Sequence, residues 1–187
     1  MSSPKPNGRV FWTAAVVTII LDVVTKALAV RYLQPERLPH KIIGNVVRFT
    51  LAFNPGAAFS MWLGPYSRYI FGTFAVIALV ILYRLYQTSV PGDRLRVLAL
   101  GLAWGGAAGN LLDRFQSSLG VVDFIDIGVG DVRFWTFNVA DSAVTVGALM
   151  LAWVLWREDR EELATRAADA ARRDEVATEP VHPPAEQ

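Results

Sequence analysis

Residues 134–156 form an apolar run long enough to cross a bilayer, yet Asn138 and Asp141 sit near its start. A carboxylate at membrane depth costs about 3 kcal/mol on insertion scales, so something must repay it. The run predicts a transmembrane helix, on which Asn138 and Asp141, spaced i, i+3, share one face. Just upstream, Val121-Val122-Asp123-Phe124 sets a second acid inside an apolar patch. Two buried carboxylates suggest acid–base chemistry.

The rest of the chain has the same character. Hydrophobic residues make up 53% of it and the mean hydropathy is +0.33. Both exceed what an ordinary soluble domain of this size shows, and the apolar residues are gathered into blocks. Spans over residues 10–30, 69–86 and 97–112 join the one at 134–156, giving an all-α integral membrane domain of four transmembrane helices. Lys5 and Arg9 ahead of the first block also fit a cleavable signal peptide, with Ala27-Leu28-Ala29 resembling a cleavage site. Asp22 and Lys26 interrupt that block, which favours a retained helix of the roughly 20 residues a membrane core requires. These two lie i, i+4 and can pair, as a structural ion pair or as part of a polar lining.

Between the first two spans, residues 45–53 are rich in β-branched and aromatic side chains and predict a strand or hairpin arm, a small β-rich extracytoplasmic segment. Asn54-Pro55-Gly56 follows as a turn. Met61-Trp62-Leu63 beside Pro65-Tyr66 reads as an interfacial patch. Arg68 and Arg84 bracket the second span. The short polar connection at 88–96 makes the second and third helices antiparallel neighbours. In the third, Gly101, Gly105, Gly106, Ala107, Ala108 and Gly109 permit close backbone approach. At its end Asn110, Asp113 and Arg114 lie on one face, with Arg114 placed to reach a group on another element. Residues 115–133 read as an outer loop in which Asp126 and Asp131 are solvated turn acids, whereas Asp123 is set among apolar neighbours. Beyond the last span, 157–173 reads as a charged, soluble helical extension and 174–187 as a disordered tail, making 157–187 one cytoplasmic segment.

Several function classes are disfavoured. A net charge of +1, with basic residues at block ends, gives no reason to invoke nucleic acid. Cys is absent, which removes disulfides, thiolate metal sites and a cysteine nucleophile. With only His40 and His182, neither a common zinc site nor a Ser-His-Asp triad is expected, so no metal and no cofactor is assigned. Four spans put both termini on one side, taken as cytoplasmic, although the excess of inside positive charge is modest. Asp22, Asn54, Asn110, Asp113, Arg114, Asp123, Asn138 and Asp141 then all converge on the outer side. Two carboxylates close together in a low-dielectric site share a proton, and such a pair can activate water while donating to a carbonyl, without metal or covalent intermediate. A proton relay in a small carboxylate-lined transporter, an oxygen-ligated Mg²⁺ or Ca²⁺ site, and an assembly protein with structural pairs to Arg114, Lys26 or Arg133 remain open alternatives on the residues alone.

Five blocks together carry a resemblance. Asp22-Val23-Val24-Thr25-Lys26, Asn54-Pro55-Gly56-Ala57-Ala58-Phe59, Gly105 through Arg114, Val122-Asp123-Phe124 and Phe137-Asn138-Val139-Ala140-Asp141-Ser142 resemble, in order, the signature blocks of the lipoprotein signal peptidases, also called signal peptidase II. The resemblance implies a bacterial inner-membrane aspartic endopeptidase with four transmembrane helices, both termini cytoplasmic and its site toward the periplasmic face. Such an enzyme removes the signal peptide of a prolipoprotein just before the diacylglyceryl-modified lipobox cysteine. It makes Asp123 and Asp141 the catalytic dyad. Asn54, Gly56, Asn110, Arg114 and Asn138 match residues that line the family's site, with Asp22, Lys26 and Asp113 shaping and supporting it. It also implies a β-rich cradle and a mobile element over the site. Expected partners are the prolipoprotein substrate and membrane lipid. The oligomeric state stays open, a monomer being the simplest expectation.

Overall fold

The computed structural model describes residues 7–56, 64 and 66–178, with side chains described as far as residue 170. Ala57-Ala58-Phe59, Met61-Trp62-Leu63 and Pro65 lie outside the described residues, as does the stretch beyond residue 178. Four helices carry the chain: α1 (Gly8–Tyr32), α2 (Ser67–Gln87), α3 (Arg94–Gln116) and α4 (Val139–Thr178). Each is long and apolar enough to cross a membrane. Four strands, β1 (His40–Ile43), β2 (Val47–Asn54), β3 (Val121–Val129) and β4 (Val132–Arg133), form one antiparallel sheet in the order β1-β2-β3-β4. The chain divides into two compact units, Met1–Leu151 and Ala152–Gln187.

Burial on α1 is the inverse of a soluble helix. Val16, Val17, Ile20, Leu21 and Val24 are exposed, while Phe11, Ala15, Thr18, Asp22, Lys26 and Ala29 form the buried stripe. In lipid, branched aliphatics have no reason to hide, so small and polar residues take the helix–helix contact. The contact is made by α3, whose glycines are needed there. A Cβ at Gly101 would stand 2.7 Å from the Phe11 carbonyl oxygen, and one at Gly105 equally close to that of Ala15. The GxxxG spacing is thereby used inside the bundle. Gly106 turns toward α4, where a Cβ would collide with the Ala140 carbonyl oxygen, whereas a Cβ at Gly109 would stand 2.6 Å from Asp22 Oδ2 on α1. Gly106→Val is therefore expected to lower thermal stability in detergent markedly, by about 1–3 kcal/mol for overpacking, as read by an unfolding scan. Asp93 caps α3, its side chain accepting from the Arg96 amide at 3.1 Å.

Three expectations change. Residues 134–138 belong to no helix: they run extended beside β3, Phe137 bridging to Ile125, and α4 begins only at Val139. Hydropathy registers their apolarity and is blind to their backbone pairing. Residues 121–129, read as part of a loop, are the central strand β3, because Val122 and Phe124 can be buried against Ala29 of α1 and Leu51 of β2. Asp126 is not solvated: it is buried, paired with Arg133 at 2.7 Å, and accepts from Thr50 Oγ1 at 3.1 Å. Asp131 is exposed. The expected strand at 45–53 is β2, with β1 added at its edge.

In the second unit α4 continues as helix through Thr178, past the boundary at 173 expected from the sequence. Trp153 and Trp156 lie 5.1 Å apart, with Arg160 over the Trp156 ring. Exposed pairs Arg157–Glu161 and Arg166–Glu162 follow at i, i+4 spacing.

Candidate active site

Asp123 is delivered by β3 and Asp141 by the first turn of α4. The β2–β3 register sets Ala52 opposite Asp123 and Asn54 opposite Val121, so Asn54 Nδ2 donates to Asp123 Oδ2 at 3.2 Å. Gly120 enters β3 at φ +97, where a Cβ would strike the Asn54 carbonyl oxygen and lie 2.6 Å from Pro55 Cα. Only glycine allows both that backbone angle and that approach. Gly120→Ala should accordingly displace Asn54 and cut activity while the four helices remain, which turnover and circular dichroism together would read.

Asn138 is the hinge of the site. It stands immediately before α4, where its Oδ1 accepts from the Asp141 amide at 2.9 Å and its own amide donates to Asp141 Oδ2 at 3.2 Å. This is a reciprocal cap with aspartate in the place of the more common glutamate. Asn138 is thus the cap and not, as the spacing suggested, a residue on the helix face. Its Nδ2 donates to Asp123 Oδ1 at 2.8 Å, so one fully buried amide side chain touches both acids. Asn110 supplies the second link: its Nδ2 donates to Asp141 Oδ1 at 2.7 Å, while its Oδ1 accepts from Asn138 Nδ2 at 3.1 Å.

Behind these amides lies a buried ion cluster. Lys26 Nζ donates to Asp22 Oδ2 at 2.6 Å and to Asn110 Oδ1 at 2.9 Å, and pairs with Asp113 Oδ2 at 2.9 Å. All three ammonium protons have an acceptor. The spare capacity of the two acids is spent on backbone: Asp22 Oδ1 accepts from the Ala140 amide at 2.9 Å, and Asp113 Oδ2 from the Val122 amide at 3.1 Å. Ala140 and Val122 are the residues preceding Asp141 and Asp123. The cluster therefore fixes the backbone next to each acid, and Lys26 holds the two grips together. Arg114 reaches across as expected, its Nη2 donating to the Gly56 carbonyl at 2.8 Å and its Nη1 to that of Asn110 at 2.9 Å. It ties the Asn54-Pro55-Gly56 turn to α3.

Among the described residues, Asp22, Asp113 and Asp126 are in ion pairs, whereas Asp123 and Asp141 are in none. Burial, with the Asp141 carboxylate adding to it, pushes the Asp123 carboxyl up to about 7, against the pull of the Asn54 and Asn138 hydrogen bonds. Between pH 3.8, the ordinary value, and about 7 the folded chain thus holds a proton that the unfolded chain has released. The contribution of this carboxyl to stability is expected to be greatest below this window and to fall as pH rises through it. A series of unfolding temperatures against pH should show this decline, and Asp123→Asn should flatten it.

Both acids open onto a cavity of 690 Å³, whose walls include Asn54, Asn110, Arg114, Phe71, Ala75, Trp135, Phe137 and Val144. Thr136, Ser142 and Thr145 also line it, and most of its surface is apolar. Phe71, Trp135 and Phe137 carried no signal in the sequence beyond hydrophobicity; Phe71 comes from α2, and the extended course of 134–138 is what makes walls of the other two. No group of three or more His, Cys, Asp or Glu side chains is placed to hold a metal ion among the described residues. The nine polar residues and Gly56, drawn from α1, β2 and the turn after it, α3, β3, and α4 with the residue before it, are all brought together here.

This arrangement has counterparts. The family model described as signal peptidase (SPase) II matches residues 14–157. A lipoprotein signal peptidase of Geobacillus kaustophilus is 45% identical over 143 residues, covering 75% of this chain and 88% of that one. One from Mycolicibacterium smegmatis is 43% identical over 157 residues, covering 80% of this chain and 62% of the relative. A solved bacterial membrane enzyme superposes with a TM-score of 0.75 at 27% identity, covering 85% of this chain and 94% of the other. The matched region contains every residue of the site just described, and the chain belongs to the signal peptidase II family.

Proposed function

We propose that Asp123 and Asp141 together activate the water that cleaves a prolipoprotein on the N-terminal side of its diacylglyceryl-modified cysteine. The chain is an aspartic peptidase by family, acting on the signal peptides of prolipoproteins. The observation that supports the residue assignment is the pair itself: two carboxylates that are in no ion pair among the described residues, joined through Asn138 and lining a largely apolar cavity.

The chemistry follows from one proton shared by two acids. The ionised carboxylate accepts a proton from water as its oxygen adds to the scissile carbonyl carbon. The protonated partner donates to the carbonyl oxygen, giving a neutral tetrahedral diol. Collapse of the diol breaks the C–N bond: one diol hydroxyl gives its proton to the ionised carboxylate, the leaving nitrogen takes a proton from the protonated one, and the pair is left with one shared proton. The proton belongs to the pair rather than to either residue. Asn54, Asn110 and Asn138 donate to the carboxylates and fix their orientation, and the Asp22–Lys26–Asp113 cluster sets the backbone beneath them.

The peptidase unit corresponds to residues 1–156, with 157–187 a charged cytoplasmic appendage. Four spans return the chain to the side on which it starts, and the dyad faces the opposite, periplasmic side of a bacterial inner membrane. Arg84, Arg94 and Arg96 near the α2–α3 connection support this orientation. The test is cleavage by purified protein in detergent of two substrates differing only in the diacylglyceryl group, with the products weighed by mass spectrometry. The expected result is one cut, directly before the modified cysteine, and little cleavage of the unmodified substrate. Equal cleavage of both would remove the lipid from the recognition.

A further inference from the structure

A second cavity, of 270 Å³, lies between α2 and α3. On α2 it runs from Arg68 through Gly72 to Val76, about 12 Å along the helix axis, and Leu111 and Phe115 of α3 close it. Gly72 makes the room. A Cβ there would meet Leu111 Cδ1 at 3.9 Å, an ordinary contact, so a longer side chain would fill the cavity. Thr73, also on its wall, donates its hydroxyl to the Tyr69 carbonyl at 2.9 Å and so brings no polar demand to it. The volume falls short of the roughly 300 Å³ at which compact small-molecule pockets begin. It suits a single extended chain.

The groove is polar at one end only. Arg68 stands there, in the first turn of α2, with the exposed rings of Tyr66 and Tyr69 beside it, as aromatics stand at headgroup depth. Its guanidinium offers five donors. Among the described residues it is in no ion pair: Nη1 reaches the Ser117 carbonyl at 3.4 Å, and the Tyr69 ring lies 5.3 Å from Cζ. A cation at headgroup depth above an apolar groove that descends along a membrane-spanning helix is complementary to a phosphate with an acyl chain beneath it. The diacylglyceryl group of a prolipoprotein carries no phosphate and would leave Arg68 without an anion.

We propose that the α2–α3 groove is a binding site for one bilayer phospholipid, its phosphate on Arg68 and one acyl chain over Gly72 toward Val76. Arg114 is a wall of this groove and of the dyad's cavity alike. The lipid therefore packs against the residue that ties the Asn54-Pro55-Gly56 turn to α3. Only that link to cleavage rests on the peptidase reading; the lipid site does not.

Native mass spectrometry of the purified protein, given equal amounts of phosphatidylglycerol and diacylglycerol, reads the preference. Phosphatidylglycerol with a diazirine on its acyl chain reads the place. The expected result is one retained phosphatidylglycerol, favoured about tenfold or more, the scale of one hydrogen bond to a charged group. Its label should fall on peptides covering residues 68–76 or 111–115. Arg68→Gln should bring the preference close to one, and Gly72→Leu should remove the label. Gly72→Ala, whose methyl fits beside Leu111, should keep it and controls for folding. A label found only elsewhere, or one indifferent to Gly72→Leu, would overturn the proposal. An undiminished preference in Arg68→Gln would overturn it too, since the phosphate would then lie elsewhere. Displacement of the lipid by one equivalent of lipidated prolipoprotein would also contradict it, making the groove part of the substrate's own site. None of these readouts is cleavage, so the peptidase reading stands or falls separately.

Discussion

Asp123→Asn and Asp141→Asn are each expected to lower cleavage of a diacylglyceryl-modified prolipoprotein by about 10³-fold or more, the scale on which positioned acid–base groups act. Neither amide can take a proton from water. The double variant should be no worse than either single one, because the two acids act as a unit. The substitutions are not structurally silent. Both oxygens of Asp123 accept hydrogen bonds, from Asn138 and Asn54, and both oxygens of Asp141 do so, from Asn110 and the Asn138 amide. An asparagine turns one of these contacts into donor against donor, at a cost of about 1 kcal/mol or somewhat more. Unfolding scans should therefore show folded proteins with slightly altered stability beside a nearly complete loss of turnover. A folded variant with near-normal activity would remove that acid from the dyad.

The second large effect is on stability. Lys26 is 3% exposed and is the common partner of Asp22 and Asp113. Lys26→Met leaves two buried carboxylates facing one another without a cation, which typically costs about 3–5 kcal/mol. The backbone beside both dyad residues loses its anchor with it. The measurement is the unfolding midpoint in detergent, together with residual cleavage. Adding Asp113→Asn to Lys26→Met should recover part of the stability by removing one uncompensated charge, and should recover little activity, since the grip on the Val122 amide is not restored in kind. An unfolding midpoint unchanged by Lys26→Met would show that the cluster holds nothing.

The extent to which these features were legible in the sequence depended on their range. Asp22 and Lys26 are one helical turn apart, so their pairing follows from spacing alone. Asp123 and Asp141 stand out because each is a charge among apolar residues, and burial of a charge demands a use. The amide links between them could not be read: Lys26 to Asn110 and Asn138 to Asp123 join segments that only the fold brings together. The start of the last helix was misplaced because Phe134–Phe137 is as apolar as a span while being held extended against β3. Asp126 looked like a turn acid because Gly128 and Gly130 follow it, and its partner Arg133 becomes its neighbour only when β3 folds back on β4. Gly120 showed as a loop glycine, but its collision with the Asn54 carbonyl appears only once β2 and β3 are paired.

The central claim is that the dyad delivers water directly to the scissile carbonyl. A single turnover of the wild-type protein on lipidated prolipoprotein in ¹⁸O-water, with the intact mass of the enzyme followed through the reaction, tests it most directly. The account predicts one ¹⁸O atom in the new carboxylate of the released signal peptide and an enzyme mass that never changes. An enzyme species heavier by the mass of the signal peptide, formed and consumed within the turnover, would mean that a side chain and not water attacks first.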